Sequence, residues 1–205
     1  MSLRNEPQKG TKSTKGVKTV QDWRVFCAVE LPDAVRARLE DHVRRLRREV
    51  PDAAASWSRV ENIHLTLKFF GSVEVKRIEK ISEAAERVVK QFSTFQIEVG
   101  GTGVFPRPSR AQVLWIGVSD PSGQLSALQE KFEDECAAEG FAKEDRAYRP
   151  HLTIARLRKP EGSLANTHLK MQFEPIEIDI TELVVFRSEL SSKGSRYTPI
   201  SRVSF

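Results

Sequence analysis

Two imidazoles and two hydroxyls recur in one arrangement along the chain: His64-Leu65-Thr66 and His151-Leu152-Thr153. These triplets hold two of the chain's four histidines. Each sits in a run that alternates polar and apolar residues, the period of a half-buried strand. Residues i and i+2 of a strand project from one face, so each copy aims one imidazole and one hydroxyl the same way. Imidazole titrates near neutrality, so of a facing pair one can accept a proton while the other donates one. Hydrolysis of a cyclic phosphodiester needs that combination. Water must lose a proton as it attacks phosphorus, and the departing sugar oxygen must gain one. The threonine hydroxyls can hold the non-bridging oxygens, and a nearby arginine can add charge-assisted bonds. Two histidines with no carboxylate or cysteine at ligand spacing make a poor metal site. No serine or cysteine stands in a nucleophile context. This chemistry calls for no metal and no cofactor.

The elements around the triplets repeat as well. Val25 to Val29 is a short apolar run fit for a buried strand. Leu31-Pro32-Asp33 opens a helix in which Val35, Leu39, Val43, Leu46 and Val50 keep helical spacing up to Pro51. The first His-Leu-Thr strand follows, closed by Gly71-Ser72. In the second half, Val113 to Val118 is a strand, and Pro121-Ser122 opens a helix with Leu125, Leu128, Phe132 and Cys136 inward. Tyr148-Arg149-Pro150 then leads into the second triplet. The spacing is 39 residues from Val25 to His64 and 36 from Trp115 to His151. Two copies are too few for a solenoid. They predict two similar lobes, each lending one His-Leu-Thr strand to a central cleft. A single His-x-Thr is more often a satisfied pair in a core; two copies in a duplicated element favour catalysis.

Between the halves lie a helix with Val75, Ile78, Ile81, Ala85, Val88 and Phe92 on one face and a strand over 95–99. Gly100-Gly101-Thr102-Gly103 lacks the Lys-Ser/Thr ending of a phosphate-binding loop and reads as a bend or bulge. Residues 159–170 read as a loop with His168 on the surface. His42, beside the apolar stripe of the first helix, reads as structural. Residues 176–180 alternate as a strand, and 183–186 with 197–200 read as a hairpin.

Of 205 residues, 39% are hydrophobic and 30% charged, as in ordinary globular chains. No apolar run approaches the roughly 18 residues of a membrane span. The net charge of +5 is concentrated at the start. Residues 1–20 carry five basic residues and one acidic, and the remainder holds 28 basic against 27 acidic. The first 20 residues therefore read as a disordered basic tail and 21–205 as a single bilobal domain. The arginines of the first helix admit two readings, an RNA-facing surface or a solvated face. Cys27 and Cys136 form no metal-type pair and read as core thiols of a cytoplasmic protein.

These residues resemble the 2H phosphoesterases, and within them the RNA 2′,3′-cyclic phosphodiesterases, also called 2′–5′ RNA ligases. The likeness runs from about Trp23 to Phe205. It is carried by Phe26-Cys27-Ala28-Val29-Glu30-Leu31-Pro32, Asn62 through Gly71, Gly103-Val104-Phe105-Pro106, Arg149 through Arg156, and Phe186-Arg187-Ser188 with Gly194 and Tyr197. It implies an α+β bilobal fold, two pseudo-symmetric lobes each with an antiparallel sheet backed by helices. It implies opening of RNA 2′,3′-cyclic phosphate ends to 2′-phosphates without cofactor, with weak reversible 2′–5′ ligation, by a monomer. By position, His64 and His151 are the catalytic pair, His64 the acid and His151 the base. Thr66 and Thr153 bind phosphate, Arg156 contacts phosphate or sugar, and Phe69 packs on the nucleotide. In a straight strand an offset of five puts Phe69 and Arg156 opposite the histidines, so a bulge is required. The alternatives are a catalytically idle RNA- or nucleotide-binding module, or a phosphodiesterase for another small cyclic phosphate.

Overall fold

The computed structural model describes residues 21–192 and 194–205; the basic segment 1–20 lies outside the described residues. The chain forms β1 (Asp22–Val29), α1 (Asp33–Glu49), β2 (Ala55–Trp57), β3 (Leu65–Glu74), α2 (Ile78–Val89), β4 (Phe95–Phe105), β5 (Val113–Ser119), α3 (Gln124–Ala138), β6 (His151–Leu157), α4 (Gly162–Lys170), β7 (Ile176–Ile180), β8 (Glu182–Ser191) and β9 (Gly194–Ser204). Nine strands make two antiparallel sheets, one in the order β3-β1-β8-β9 and the other β2-β6-β5-β4-β7. The α+β architecture with two helix-backed antiparallel sheets matches the expectation.

The helices are exchanged between the halves. α1 follows β1 of the first sheet, yet it packs with α4, which rests on β4 of the second. α3 follows β5 of the second sheet, yet it packs with α2 and β3, and α2 rests on β8 and β9 of the first. A sheet's apolar face accepts any helix of matching pattern, and here each half lends its helix to the other's sheet. α1 buries Val35, Leu39, His42, Val43 and Leu46, one stripe at helical spacing. Buried side chains from both sheets and from the four helices described join in one main core. Lys68 on β3 reaches across it to Glu133 on α3 at 2.5 Å and to the Ala142 carbonyl at 2.8 Å.

Three local readings change. Residues 162–170 are helix α4 rather than loop, and His168 is fully buried rather than on the surface. Leu164, Ala165 and His168 form its inner face. The imidazole tolerates burial because both ring nitrogens have partners. Nδ1 lies 3.1 Å from His42 Nε2, and Nε2 donates to the carbonyls of Trp115 at 3.1 Å and Gly103 at 3.2 Å. α3 begins at Gln124, not Pro121, because Gly123 takes φ +72° and ends the preceding turn. There Ser122 Oγ accepts from the Gln124 amide and Asp120 from the Ser126 amide. α2 runs only from Ile78 to Val89, with Val75 in a short 3₁₀ turn before it. The glycine run behaves as expected: β4 passes through it with a bulge between Gly100 and Thr102, and Gly101 has φ +70°. The hairpin of β8 and β9 also forms, and His42 is structural. No helix among the described residues is long and apolar enough to cross a membrane.

Candidate active site

Each sheet has a second face that the helices leave open. On the first, Phe26 and Ala28 of β1 join Val184 and Phe186 of β8 in a small apolar cluster apart from the main core, with Tyr197 against it. His64 lies on this face, its ring stacked on Phe26 with centroids 4.6 Å apart and edge-on to Tyr197 at 5.3 Å. On the second sheet, His151 is paired in register with Gly117, edge-on to Phe105 at 5.0 Å and 6.4 Å from the Trp115 ring. β3 and β6 approach one another, and the Tyr148 hydroxyl, three residues before His151, donates to the Thr66 carbonyl at 3.1 Å.

The registers settle which residues share each face. Thr66 pairs with Ala28, Lys68 with Cys27 and Phe69 with Phe26, so Leu67 is an extra residue in β3. Thr153 pairs with Trp115, Ala155 with Leu114 and Arg156 with Val113, so Ile154 is an extra residue in β6. The bulge falls directly after the threonine in both copies. It re-phases each strand: Phe69 returns to the face of His64 and Thr66, and Arg156 to that of His151 and Thr153. Phe69 is 64% exposed and its ring lies 5.7 Å from Phe26. Arg156 is exposed. All six residues singled out from the sequence therefore stand on the two open faces, three on each.

Both imidazoles are oriented the same way. His64 Nδ1 lies 2.8 Å from the Asn62 carbonyl, and His151 Nδ1 lies 2.7 Å from the Arg149 carbonyl. A carbonyl only accepts, so each Nδ1 carries the proton and each neutral Nε2 keeps its lone pair. Burial, the largest cause, lowers His64 to about 4; the Asn62 carbonyl opposes this and the Arg36 charge adds to it. His151 is also lowered, first by burial, then against the Arg149 carbonyl and with the Arg156 charge. Both shifts favour the neutral imidazole.

The segment before His64 is held from two sides. Arg36 on α1 donates to the carbonyls of Leu31 at 3.0 Å and Val60 at 3.0 Å, and Asn62 Nδ2 donates to the Ser195 carbonyl at 2.8 Å. These two residues, with Phe26, Phe186, Tyr197, Phe105 and Trp115, are the parts of the site that pattern reading missed. Phe26 and Phe186 belong to continuous apolar runs, which carry no mark of an open face. No group of three or more His, Cys, Asp or Glu among the described residues is arranged to hold a metal ion.

A family model described as the 2′-5′ RNA ligase superfamily matches residues 31–191. The RNA 2′,3′-cyclic phosphodiesterase of Methanothermobacter thermautotrophicus is 34% identical over 180 residues, which cover 85% of this chain and 95% of that protein. The protein of the same name from Thermotoga maritima is 29% identical over 182 residues, covering 89% and 95%. Among solved structures, TT0787 of Thermus thermophilus gives a TM-score of 0.71 at 25% identity, over 88% of this chain and 97% of that one. Escherichia coli LigT complexed with 3′-AMP gives 0.71 at 23% identity, over 90% and 99%, a match of fold.

Proposed function

The chain belongs to the 2′-5′ RNA ligase superfamily, and from that membership we propose that it opens RNA 2′,3′-cyclic phosphate ends to 2′-phosphates, with His64 and His151 as acid and base. The observation that carries this reading is the shared posture of the two imidazoles. Each gives its Nδ1 proton to a carbonyl two residues upstream and keeps Nε2 for another partner. In our reading the two open faces meet in one cleft around a single phosphate.

His151 Nε2 takes a proton from water as its oxygen attacks phosphorus. The bond from phosphorus to the 3′-oxygen breaks, and the imidazolium of His64 gives that oxygen its proton. A 3′-hydroxyl and a 2′-phosphate remain. The hydroxyls of Thr66 and Thr153 donate to the non-bridging oxygens, where the charge gathers, and the Arg156 guanidinium adds a cation beside them. Phe69 offers its exposed ring to the nucleobase. The empty site disfavours an imidazolium, more so at the more buried His64. The anionic phosphate reverses that preference, so substrate binding stabilises the catalytic proton on the histidine pair. With the 5′-hydroxyl of a second RNA in place of water, the same steps join the strands through a 2′–5′ phosphodiester and release the 3′-hydroxyl; attack of that hydroxyl on the new linkage restores the cyclic phosphate, so the ligation is weak and reversible.

We take residues 21–205 as one bilobal unit that holds both histidines and the monomer as sufficient; the exchange of helices between the two sheets supports this. Cys27 and Cys136 are free and buried, which suits the cytoplasm in which we place the activity. The deciding assay is turnover of a 2′,3′-cyclic nucleotide in EDTA with mapping of the product end. His64→Ala and His151→Ala each lose roughly 10²–10⁴-fold in rate. The double variant loses far less than the product of the two, because the pair acts as a unit. Thr66→Ala and Thr153→Ala lose less than either. A substrate with a much better leaving group rescues His64→Ala and leaves His151→Ala slow; rescue of His151→Ala instead reverses the roles. Near-wild-type turnover by either single histidine variant refutes the mechanism, and no turnover by the intact protein leaves a binding module.

A further inference from the structure

Beyond the outermost strand of the second sheet lies a groove of about 720 Å³ between α1 and the segment from Trp57 to Glu61. Four arginines line it: Arg36, Arg44 and Arg47 from one side of α1, and Arg59 from the opposite wall. Glu40 and Glu61 are the acids present, so the lining is net cationic. Arg36 is engaged with backbone carbonyls. Arg44 makes a loose exposed contact with Asp41 at 3.7 Å. The Arg47 guanidinium lies 5.9 Å from the centre of the half-buried Trp57 ring. A π face and several cations thus meet in one open channel.

The groove lies across one sheet edge from the site. β2 is the edge strand beside β6, and Ser56 pairs in register with Arg156, so the two share the open face. Trp57, the next residue, points to the other face, into the groove. One strand spacing, about 4.8 Å, separates the backbone of β6 from the edge that must be crossed. The groove wall runs on in sequence to His64: six residues separate it from Trp57, a reach of at most about 25 Å. That is the span of a few nucleotides.

We propose that this groove is a subsite for single-stranded RNA upstream of the cyclic end. The terminal nucleotide occupies the open faces, the chain passes over the β2 edge at Ser56, and the next nucleotides follow α1. Arg44 and Arg47 take their phosphates, and one base takes the place of the Arg47 guanidinium over the Trp57 ring. Base stacking on an aromatic ring beside a cationic track is how proteins hold single strands without reading sequence. An acidic peptide would use the arginines and leave the indole without a role. The proposal rests on the reading of the site as one for RNA cyclic phosphates, and it separates from that reading by substrate length.

The test compares a 2′,3′-cyclic mononucleotide with an octanucleotide that ends in a 2′,3′-cyclic phosphate. In the intact protein KM is lower for the octanucleotide. The Arg44→Gln/Arg47→Gln double variant raises KM for the octanucleotide tenfold or more and leaves mononucleotide turnover unchanged. Its log–log salt dependence is shallower by about 1.4, the value for two phosphate contacts on a single strand. Trp57→Ala raises the octanucleotide KM alone and keeps the salt slope. A thermal melt of each variant reports folding. Binding of a fluorescent octanucleotide with a plain 3′-hydroxyl, followed by anisotropy, reads the groove without any turnover. The double variant weakens it tenfold or more. Equal affinity in intact and double-variant protein, or equal KM losses on both substrate lengths, overturns the groove. Failure of the intact protein to turn over the mononucleotide counts against the enzymatic reading instead, and the anisotropy result then decides the groove alone.

Discussion

Raising the pH from 6.5 to 8.5 should lower kcat/KM by about 100-fold, tenfold per unit, because the productive free enzyme carries one proton on its histidine pair. The sign follows from the site. Burial holds His64 at about 4 and pushes His151 below its ordinary value of 6.5. Above the higher of the two, the singly protonated form loses a factor of ten per pH unit. Below the lower one, both rings are charged and no base remains. The maximum of kcat/KM therefore lies on the acid side of 6.5. The profile has this shape whichever ring is the acid, since its limbs belong to the coupled pair. The profile of kcat reports the enzyme with the phosphate bound. The anion stabilises an imidazolium, so that profile is displaced to higher pH. The assay is initial-rate kinetics on a 2′,3′-cyclic mononucleotide from pH 4.5 to 9 at constant ionic strength. A kcat/KM that is flat from 5 to 8, or that peaks above pH 8, contradicts the assignment of two desolvated imidazoles to the reaction.

Three further outcomes test the surroundings of the site. Arg156→Ala removes a cation from the face of His151; kcat/KM falls roughly 10- to 100-fold, the worth of one charge-assisted hydrogen bond, and the pH profile of the pair is displaced to higher pH. His42 is buried and held at about 4 against 6.5, first by burial and then by His168. Below pH 6.5 the unfolded chain takes up a proton that folded His42 refuses, so the share of stability due to His42, about 3 kcal/mol, is lost between pH 6.5 and 4 and retained above 6.5; urea unfolding at several pH values shows the slope, and His42→Gln makes it shallower by that share while the other buried histidines keep theirs. Lys68→Met strands the Glu133 carboxylate in the core and costs about 3–5 kcal/mol by denaturant unfolding, whereas Lys68→Met/Glu133→Leu recovers most of that.

The strands that carry the chemistry were legible because their period is two and their content repeats. The bulges that complete the chemistry were not. Leu67 and Ile154 are ordinary strand residues, and each becomes an extra residue only by the register of the strand beside it. A straight-strand reading could state that a bulge was required for Phe69 and Arg156 but not where it would fall. The exchange of α1 and α3 was hidden for a related reason: an apolar stripe tells that a helix is covered, not which sheet covers it. α4 has nine residues and three buried side chains, one of them a histidine, so its pattern is too short to read. His168 looked like a surface residue because its partners, His42 and two strand carbonyls, lie far away in sequence.

A duplicated triplet produces two equivalent imidazoles, yet acid–base catalysis needs them to differ. The triplets and their bulges are alike, and so is the carbonyl behind each Nδ1. The difference comes from what lies beside each ring. His64 is stacked on Phe26 with 24° between the planes, and Tyr197 closes its edge. His151 meets Phe105 edge-on at 87°. Stacking covers the π face and removes water from one side of the His64 ring, which makes its imidazolium the harder one to form. A weakly held proton is the one most readily given to a leaving oxygen. The ring that is harder to charge is therefore the stronger acid once the substrate has charged it, which agrees with the role proposed for His64. In the proposed mechanism the division of labour is set by the aromatic residues of β1, β8 and β9 and not by the histidine motifs themselves.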